Sequence, residues 1–358
     1  MLCRATVLTI GGLTLAALPA CGQGDAAQGG RQSESGAAGD SARVASLLGR
    51  GGDWKTNFSK ISVPPEEIVS GGPPKDGIPA IDNPTFESLE EADAWLEASD
   101  PVIVVEHESL VKAYPLRILI WHEIVNDAVG GRPLTITFCP LCNTALVFDR
   151  EVGDRTLDFG TTGSLRHSDL IMYDRQTETW WQQATGEAIV GDLLGTHLEY
   201  YPANTLAWDT VKELYPHAEV LSQRTGYGRS YGRNPYVGYD SQSRPIAGFF
   251  REAPDPRLPA LERVAAVDLG SGWAASFDEL AANRVANDEV EGAPFVVFWQ
   301  PGASSALDQG SIPEGRDVGQ TVAFDRRLAD RTLRFEWQAG RFIDRETGTT
   351  WDLAGRAV

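Results

Sequence analysis

Cysteine is nearly absent from this chain. There are four among 358 residues, alongside five histidines and two methionines. Two of the four, Cys3 and Cys21, fall in the first 21 positions, so only Cys139 and Cys142 are left for chemistry beyond them. That leaves no material for a disulfide framework of several bridges. Positive charge is also short, with 31 Lys plus Arg against 50 Asp plus Glu. No basic cluster stands out, which argues against nucleic acid as a partner, and the acidity reads as a solubility feature. No G-x-S-x-G elbow, phosphate-binding Gly-rich loop or H-E-x-x-H helix occurs. The familiar signatures of serine hydrolases, nucleotide-binding proteins and zinc proteases are therefore missing.

The N-terminus carries an export pattern. Arg4 precedes a mostly apolar run, Ala5 to Ala20, too short for a good membrane-spanning helix. The run ends in Leu18-Pro19-Ala20-Cys21-Gly22, which resembles a bacterial lipobox. That resemblance implies cleavage before Cys21 and lipid attachment there. Residues 1–20 are then a lipoprotein signal peptide. Residues 21–45, rich in Gly, Ser, Ala and Gln, are a flexible tether. The expected location is extracytoplasmic, with the membrane as partner through the lipid anchor at the periplasmic or cell surface.

The rest of the chain matches itself at a shift of 161 residues. Asn126, Asp127, Val129, Gly131 and Pro133 meet Asn287, Asp288, Val290, Gly292 and Pro294. Beyond an insertion around Asp308 to Thr321 the match resumes: Phe148-Asp149-Arg150 with Phe324-Asp325-Arg326, and Asp174-Arg175 and Trp181 with Asp344-Arg345 and Trp351. The apolar stripe Leu116, Leu119, Ile120, Ile124 has the counterpart Phe277, Leu280, Ala281, Val285, at helical spacing. Pro115 opens the first helix, and Ser276 with Glu279 forms a capping box for the second. The expected architecture is α+β and strand-dominated, with two duplicated units. They are a first unit, 46–225, and a second, degenerate unit, 261–358, joined by a Tyr/Gly-rich connector, 226–260. The second unit is shortened at its C-terminus, stopping at Val358 opposite Ile189. Strands are predicted at Val102 to Val105, Leu134 to Phe138 and Leu170 to Tyr173, with a hairpin about Gly153-Asp154. Asn204 is predicted to cap a further helix stopped by Pro216.

A duplication separates scaffold from chemistry. Asp174, Arg175 and Trp181 recur, so they read as a turn salt bridge and a core anchor. Cys139 and Cys142 do not recur, since Gln300 and Ala303 stand in their places. His122 faces Asn283, and the segment Gly163 to Asp169, with His167, has no counterpart. Two thiols at C-x-x-C spacing around a proline-containing turn resemble half of a zinc or rubredoxin knuckle. Other ligands must come from elsewhere, with His167 first and His122 second. Copper or zinc suits this donor set better than a hard cation. Met172, opposite Phe342, reads as core. Thiol–disulfide exchange is the alternative, although Thr144 to Phe148 after the pair reads as strand, whereas a redox pair sits at a helix N-terminus. A third reading is a structural disulfide in a noncatalytic scaffold or interaction module. Glu106 and Glu108 about His107 read as a solvated strand edge, and the connector tyrosines as anchors of an ordered loop.

Phe138-Cys139-Pro140-Leu141-Cys142-Asn143-Thr144-Ala145, with Val147-Phe148-Asp149-Arg150, resembles the signature of a bacterial family of exported proteins, the domain-of-unknown-function 3179 family. Ala113-Tyr114-Pro115, Trp121 to Asp127, Met172-Tyr173-Asp174-Arg175, Thr185-Gly186-Glu187-Ala188 and Gly232-Arg233-Asn234-Pro235-Tyr236 extend the resemblance. It spans nearly everything from Gly77 onward. It implies an exported location and often a duplicated layout, and it supplies no reaction.

Overall fold

Continuous apolar runs set the central sheet. In the computed structural model, which describes Val44, Ser46, Leu48 and residues 53–358, the strand Pro101–His107 is buried from Pro101 to Val105. It pairs antiparallel with Leu110–Pro115 on one side and Ala203–Ala207 on the other. Glu219–Leu221 and Phe86–Glu87 complete a five-stranded sheet. Cys21, the signal and most of the tether lie outside the described residues.

Asn204 does not cap a helix. Its segment, Ala203–Ala207, is a strand, and the helix begins at Trp208 and runs to Leu214. Pairing Asn204 with Val104 fills the edge of the sheet, and that tertiary gain outweighs the residue's local capping preference. The first predicted helix forms as Leu116–His122, with Pro115 as its cap residue. It ends two residues short of the expected stripe because Glu123 adopts a left-handed backbone at φ 58°, and Ile124 starts the next strand. Helices commonly stop this way, usually on glycine.

The chain is α+β and dominated by strands. Its two halves repeat the same local devices. Leu116–His122 leads into the three-stranded sheet Ile124–Val129, Arg132–Cys139 and Thr144–Asp149. Phe277–Asn283 leads likewise into Val285–Val290, Ala293–Gln300 and Gln320–Asp325. Arg284 closes its helix in the left-handed region, as Glu123 does. Asn126 bridges the backbone N–H and C=O of Phe159, and Asn287 does the same for Phe335. Arg150 donates to the Leu157 carbonyl, and Arg326 to that of Leu333. Ser276 accepts from the Glu279 N–H, one of the two bonds of the expected capping box. The halves share one interior. Val102, Val104, Leu206 and Trp208 pack with Val296, Phe298, Phe324, Phe342 and Trp351 in a single buried cluster.

Asp174 is a hub for its turn. It accepts from the Thr177 and Thr179 N–H groups and from Trp181 Nε1. Arg175 does not pair with it but reaches Asp82 at 3.2 Å and Asp76 at 3.7 Å. The turn is therefore held by hydrogen bonds to one buried carboxylate, where a salt bridge was expected.

Candidate metal centre

Two hairpin tips meet at the site. Cys139 ends one strand and pairs in register with Thr144, leaving Pro140 to Asn143 as the tip. Asn143 takes a left-handed backbone at φ 50°, a conformation its short polar side chain tolerates. This turn directs both cysteines inward. They are unbridged thiols, 1% and 6% exposed, and the pair stands at 3.0 Å. The second tip lies between Phe159–Arg166 and Asp169–Asp174, where Arg166 pairs with Asp169. His167 and Ser168, at φ 52° and 64°, form its two-residue turn. Positive φ at both positions suits a tight hairpin and is costly for residues other than glycine. The Phe249 carbonyl fixes the tip by accepting from the Ser168 N–H at 2.9 Å.

The consequence is a three-residue cluster. Cys139, Cys142 and Asp169 bring their sulfur and oxygen atoms within 4.8 Å of one another, all buried. Cys142 Sγ donates to Asp169 Oδ1 at 3.2 Å, and Asp169 Oδ2 accepts from the Ala184 N–H at 3.0 Å. Cys139 Sγ approaches the Ser168 carbonyl at 3.7 Å. Buried Gln183 steadies the frame, donating to Thr137 Oγ1 and the Thr144 carbonyl. Ser168 Oγ and Tyr239 Oη are buried beside the cluster, the serine hydroxyl close enough to act on the tyrosine as a hydrogen-bond neighbour. A small cavity lined by Cys142, Asn143, Tyr239 and Arg263 adjoins the cluster.

The electrostatics are one-sided. Burial, then the neighbouring Cys139 and Asp169, push the Cys142 thiol well above its ordinary range. Burial raises Asp169 to about 6. Burial and the charge of Asp169 raise Glu123, itself buried beside Tyr236, to about 8. Tyr239 is pushed up to about 12 by burial and by both cysteines. Among the described residues no lysine or arginine forms an ion pair with Asp169 or Glu123. Cys142 and Glu123 keep their protons at neutral pH because no positive charge of the cluster's own offsets burial and the Asp169 carboxylate.

A pH dependence follows. An unfolded glutamate ionises near 4.5, whereas folded Glu123 keeps its proton to about pH 8. The folded state thus binds more protons across that window, and the metal-free protein loses stability as pH rises through it. Between pH 5 and pH 8 the loss is on the order of 4 kcal/mol, at about 1.4 kcal/mol per unit. Urea unfolding with chelator and reductant checks this: Glu123→Gln flattens most of the slope, and an equally steep slope in that variant refutes the assignment.

Neither histidine joins the sulfur cluster. His122 uses both ring nitrogens, Nδ1 with the Pro79 carbonyl and Nε2 with Tyr231 Oη, each at 2.7 Å. A carbonyl only accepts, so Nδ1 carries the proton and Nε2 accepts from the tyrosine. Burial lowers the His122 pKa, in keeping with a neutral ring. His167 points to the other side of its turn, 3.3 Å from Glu67 and 3.8 Å from Glu252. Met172 is fully buried in the apolar cluster that contains both cysteines. Glu106 pairs with Arg356, and His107 with Tyr201.

Asp169, Gln183 and Tyr239 escaped the sequence reading of the site. Asp169 did carry a signal, since it stands in the segment that the second half lacks, two residues from the histidine chosen instead.

A model of a protein family of unknown function (DUF3179) matches residues 75–358, a span that includes the cluster and both halves. No curated protein and no solved structure matches the chain.

Proposed function

The chain belongs to this family of unknown function, DUF3179, and from that premise we propose that its first half is a soft-metal site formed by Cys139, Cys142 and Asp169. The observation that carries the reading is the convergence of two thiols and a carboxylate in a buried space without a cationic partner. A cation displacing their protons would supply the missing charge. Two sulfurs and one oxygen suit zinc, and the sulfurs alone suit copper(I). The buried hydroxyls of Ser168 and Tyr239 are the oxygen ligands we take for a fourth position. This set replaces the histidines expected from sequence.

In this reading the protein is an extracytoplasmic lipoprotein, tethered to a bacterial membrane through Cys21. The support is the pattern from Arg4 to Gly22. No helix among the described residues is long and apolar enough to cross a membrane. The second half is read as a degenerate copy of the first that serves as scaffold. The same order of helix and strands, and the same hydrogen bonds made by Asn, Arg and Asp, support that view.

The test is a zinc titration of reduced, metal-free protein at pH 7 in weak buffer. Because the ligands hold protons, about two protons leave per metal bound. Neither proton release nor retained zinc would end the metal reading.

One observation favours a second reading, a thiol–disulfide oxidoreductase: Asp169 is placed to take the Cys142 proton. Against it stand the burial of both sulfurs and their position on a hairpin rather than a helix N-terminus. A reduction potential between about −270 and −120 mV supports exchange chemistry, and one far below that marks an inert staple.

A further inference from the structure

We propose a second cation site, for a manganese-type divalent ion, formed by Glu67, His167 and Glu252 on the outer side of the His167–Ser168 tip. One ligand atom from each residue lies within 4.8 Å of the other two. His167 Nε2 stands 3.3 Å from Glu67 Oε2 and 3.8 Å from Glu252 Oε1. Ligands about 2.0–2.2 Å from a small divalent ion stand about 3–3.5 Å from one another, so small side-chain movements close the shell. Three separate segments supply these groups, and each is fixed on its own account. The His167 ring packs against Phe250, with centroids 6.0 Å apart. Glu252 follows two residues later on the connector. The connector is held by the Phe249 carbonyl, which accepts from the Ser168 N–H at 2.9 Å, and by Arg251 Nη1, which donates to the Glu66 carbonyl at 2.9 Å. Arg166 reaches Glu67 through Oε2 alone, from Nε at 2.8 Å and Nη2 at 2.7 Å, and so leaves Oε1 to face a cation.

Arg166 offsets the charge of Glu67 and orients it, as outer partners of ligating carboxylates do. Its Nη1 is spent on Gln182, and no lysine or arginine among the described residues pairs with Glu252. One negative charge is therefore left over beside an imidazole. Two carboxylates and one imidazole suit manganese, iron(II) or zinc, and not a thiophilic ion such as copper(I). The side chains of His167, Glu67 and Glu252 are 20%, 25% and 53% exposed, so water completes the shell and the ion exchanges freely. Such an ion is lost on a desalting column. The site shares no ligand with the cysteine cluster and does not depend on it. Asp169 starts the strand that leaves the same tip, so a bound ion would pin tip and connector together next to that carboxylate.

Manganese(II) is the probe, because thiolates hold it weakly. Titrated into chelator-treated Cys139→Ser/Cys142→Ser protein, it binds at about one equivalent, read as loss of the free-ion electron paramagnetic resonance signal. Spin-echo modulation from a coordinated imidazole nitrogen marks His167 and vanishes in His167→Gln. Glu252→Gln weakens binding by at least about tenfold, the least that even an outer-shell change costs. Glu213→Gln, at another exposed carboxylate, leaves it unchanged. Wild-type protein preloaded with zinc and desalted gives the same titration, which guards against a double-serine variant that fails to fold. Equal losses in Glu252→Gln and Glu213→Gln overturn the proposal, as does a bound ion without the imidazole signature. So does the lack of bound manganese at about 1 mM, the weak end for extracellular cation sites. Zinc retained by the wild type after desalting reports separately on the cysteine cluster.

Discussion

Reduced protein loaded with zinc and passed over a desalting column retains about one equivalent, and Cys139→Ser/Cys142→Ser retains less than about a tenth. Thiolates are the ligands that make such a site tight, and serine hydroxyls stay protonated at neutral pH. Removing both therefore removes the site. Structural zinc in small domains binds with about 10–16 kcal/mol of apparent free energy, which sets an expectation of affinity in the tens of nanomolar or tighter. At a thousandfold excess over the dissociation constant the bound metal stabilises the fold by about 4 kcal/mol. Loaded protein therefore melts several degrees higher than chelated protein, and the double-serine variant shows no difference between the two conditions.

Asp169→Asn separates the metal reading from the redox one. The amide keeps an oxygen at the same place and can still accept from the Ala184 N–H, so the fold is retained. The lost negative charge weakens zinc by at least the 10–100-fold that even outer-shell partners cost. For a thiol exchanger the same change slows deprotonation of Cys142 and leaves metal content irrelevant. Full zinc retention by both Asp169→Asn and the double-serine variant would place the metal elsewhere and end the proposal.

The cysteine tip was legible because C-x-x-C is a local pattern, and its inward turn needs only residues 139–144. The repeated hubs were legible because their members recur at matched positions along the chain. Asp169 was not, because its role depends on two tips from different hairpins facing each other, which local spacing does not encode. His167 was preferred on residue type, yet in a two-residue turn neighbouring side chains diverge. His167 goes out to Glu67 and Glu252, while Asp169 goes in to Cys142. His122 was singled out because Asn283 stands at the position matched to it. Its environment is a carbonyl and a tyrosine, so it ties the helix end to the connector. Asn204 shows the same limit in the fold, since a good capping residue became a strand once Pro101–Val105 offered it an edge.

Asp174→Ala lowers stability by about 4 kcal/mol, read as an earlier urea midpoint at unchanged slope. The carboxylate is fully buried and accepts from Thr177 N at 2.6 Å, Thr177 Oγ1 at 2.8 Å, Thr179 N at 3.2 Å and Trp181 Nε1 at 3.0 Å. Alanine leaves buried donors unpaired, at about 1–3 kcal/mol each, with partial relief from water near Thr177. The second half supplies its own control. Asp344 accepts in the same way from Thr347 N and from Trp351 Nε1. Burial raises its pKa, and the bonds from Trp351 and Thr347 outweigh that and hold it below the usual carboxylate value. Its contribution is therefore present above the unfolded value near 3.8 and lost as pH falls through the folded one. Asp344→Ala then costs less, because the threonines it organises are partly exposed and water replaces the lost acceptor there. Asp174 also ends the strand that begins with Asp169. Loosening that end reaches the cluster, so Asp174→Ala weakens zinc binding while Asp344→Ala leaves it unchanged. Equal zinc affinities in the two variants would mean that the strand does not position the carboxylate.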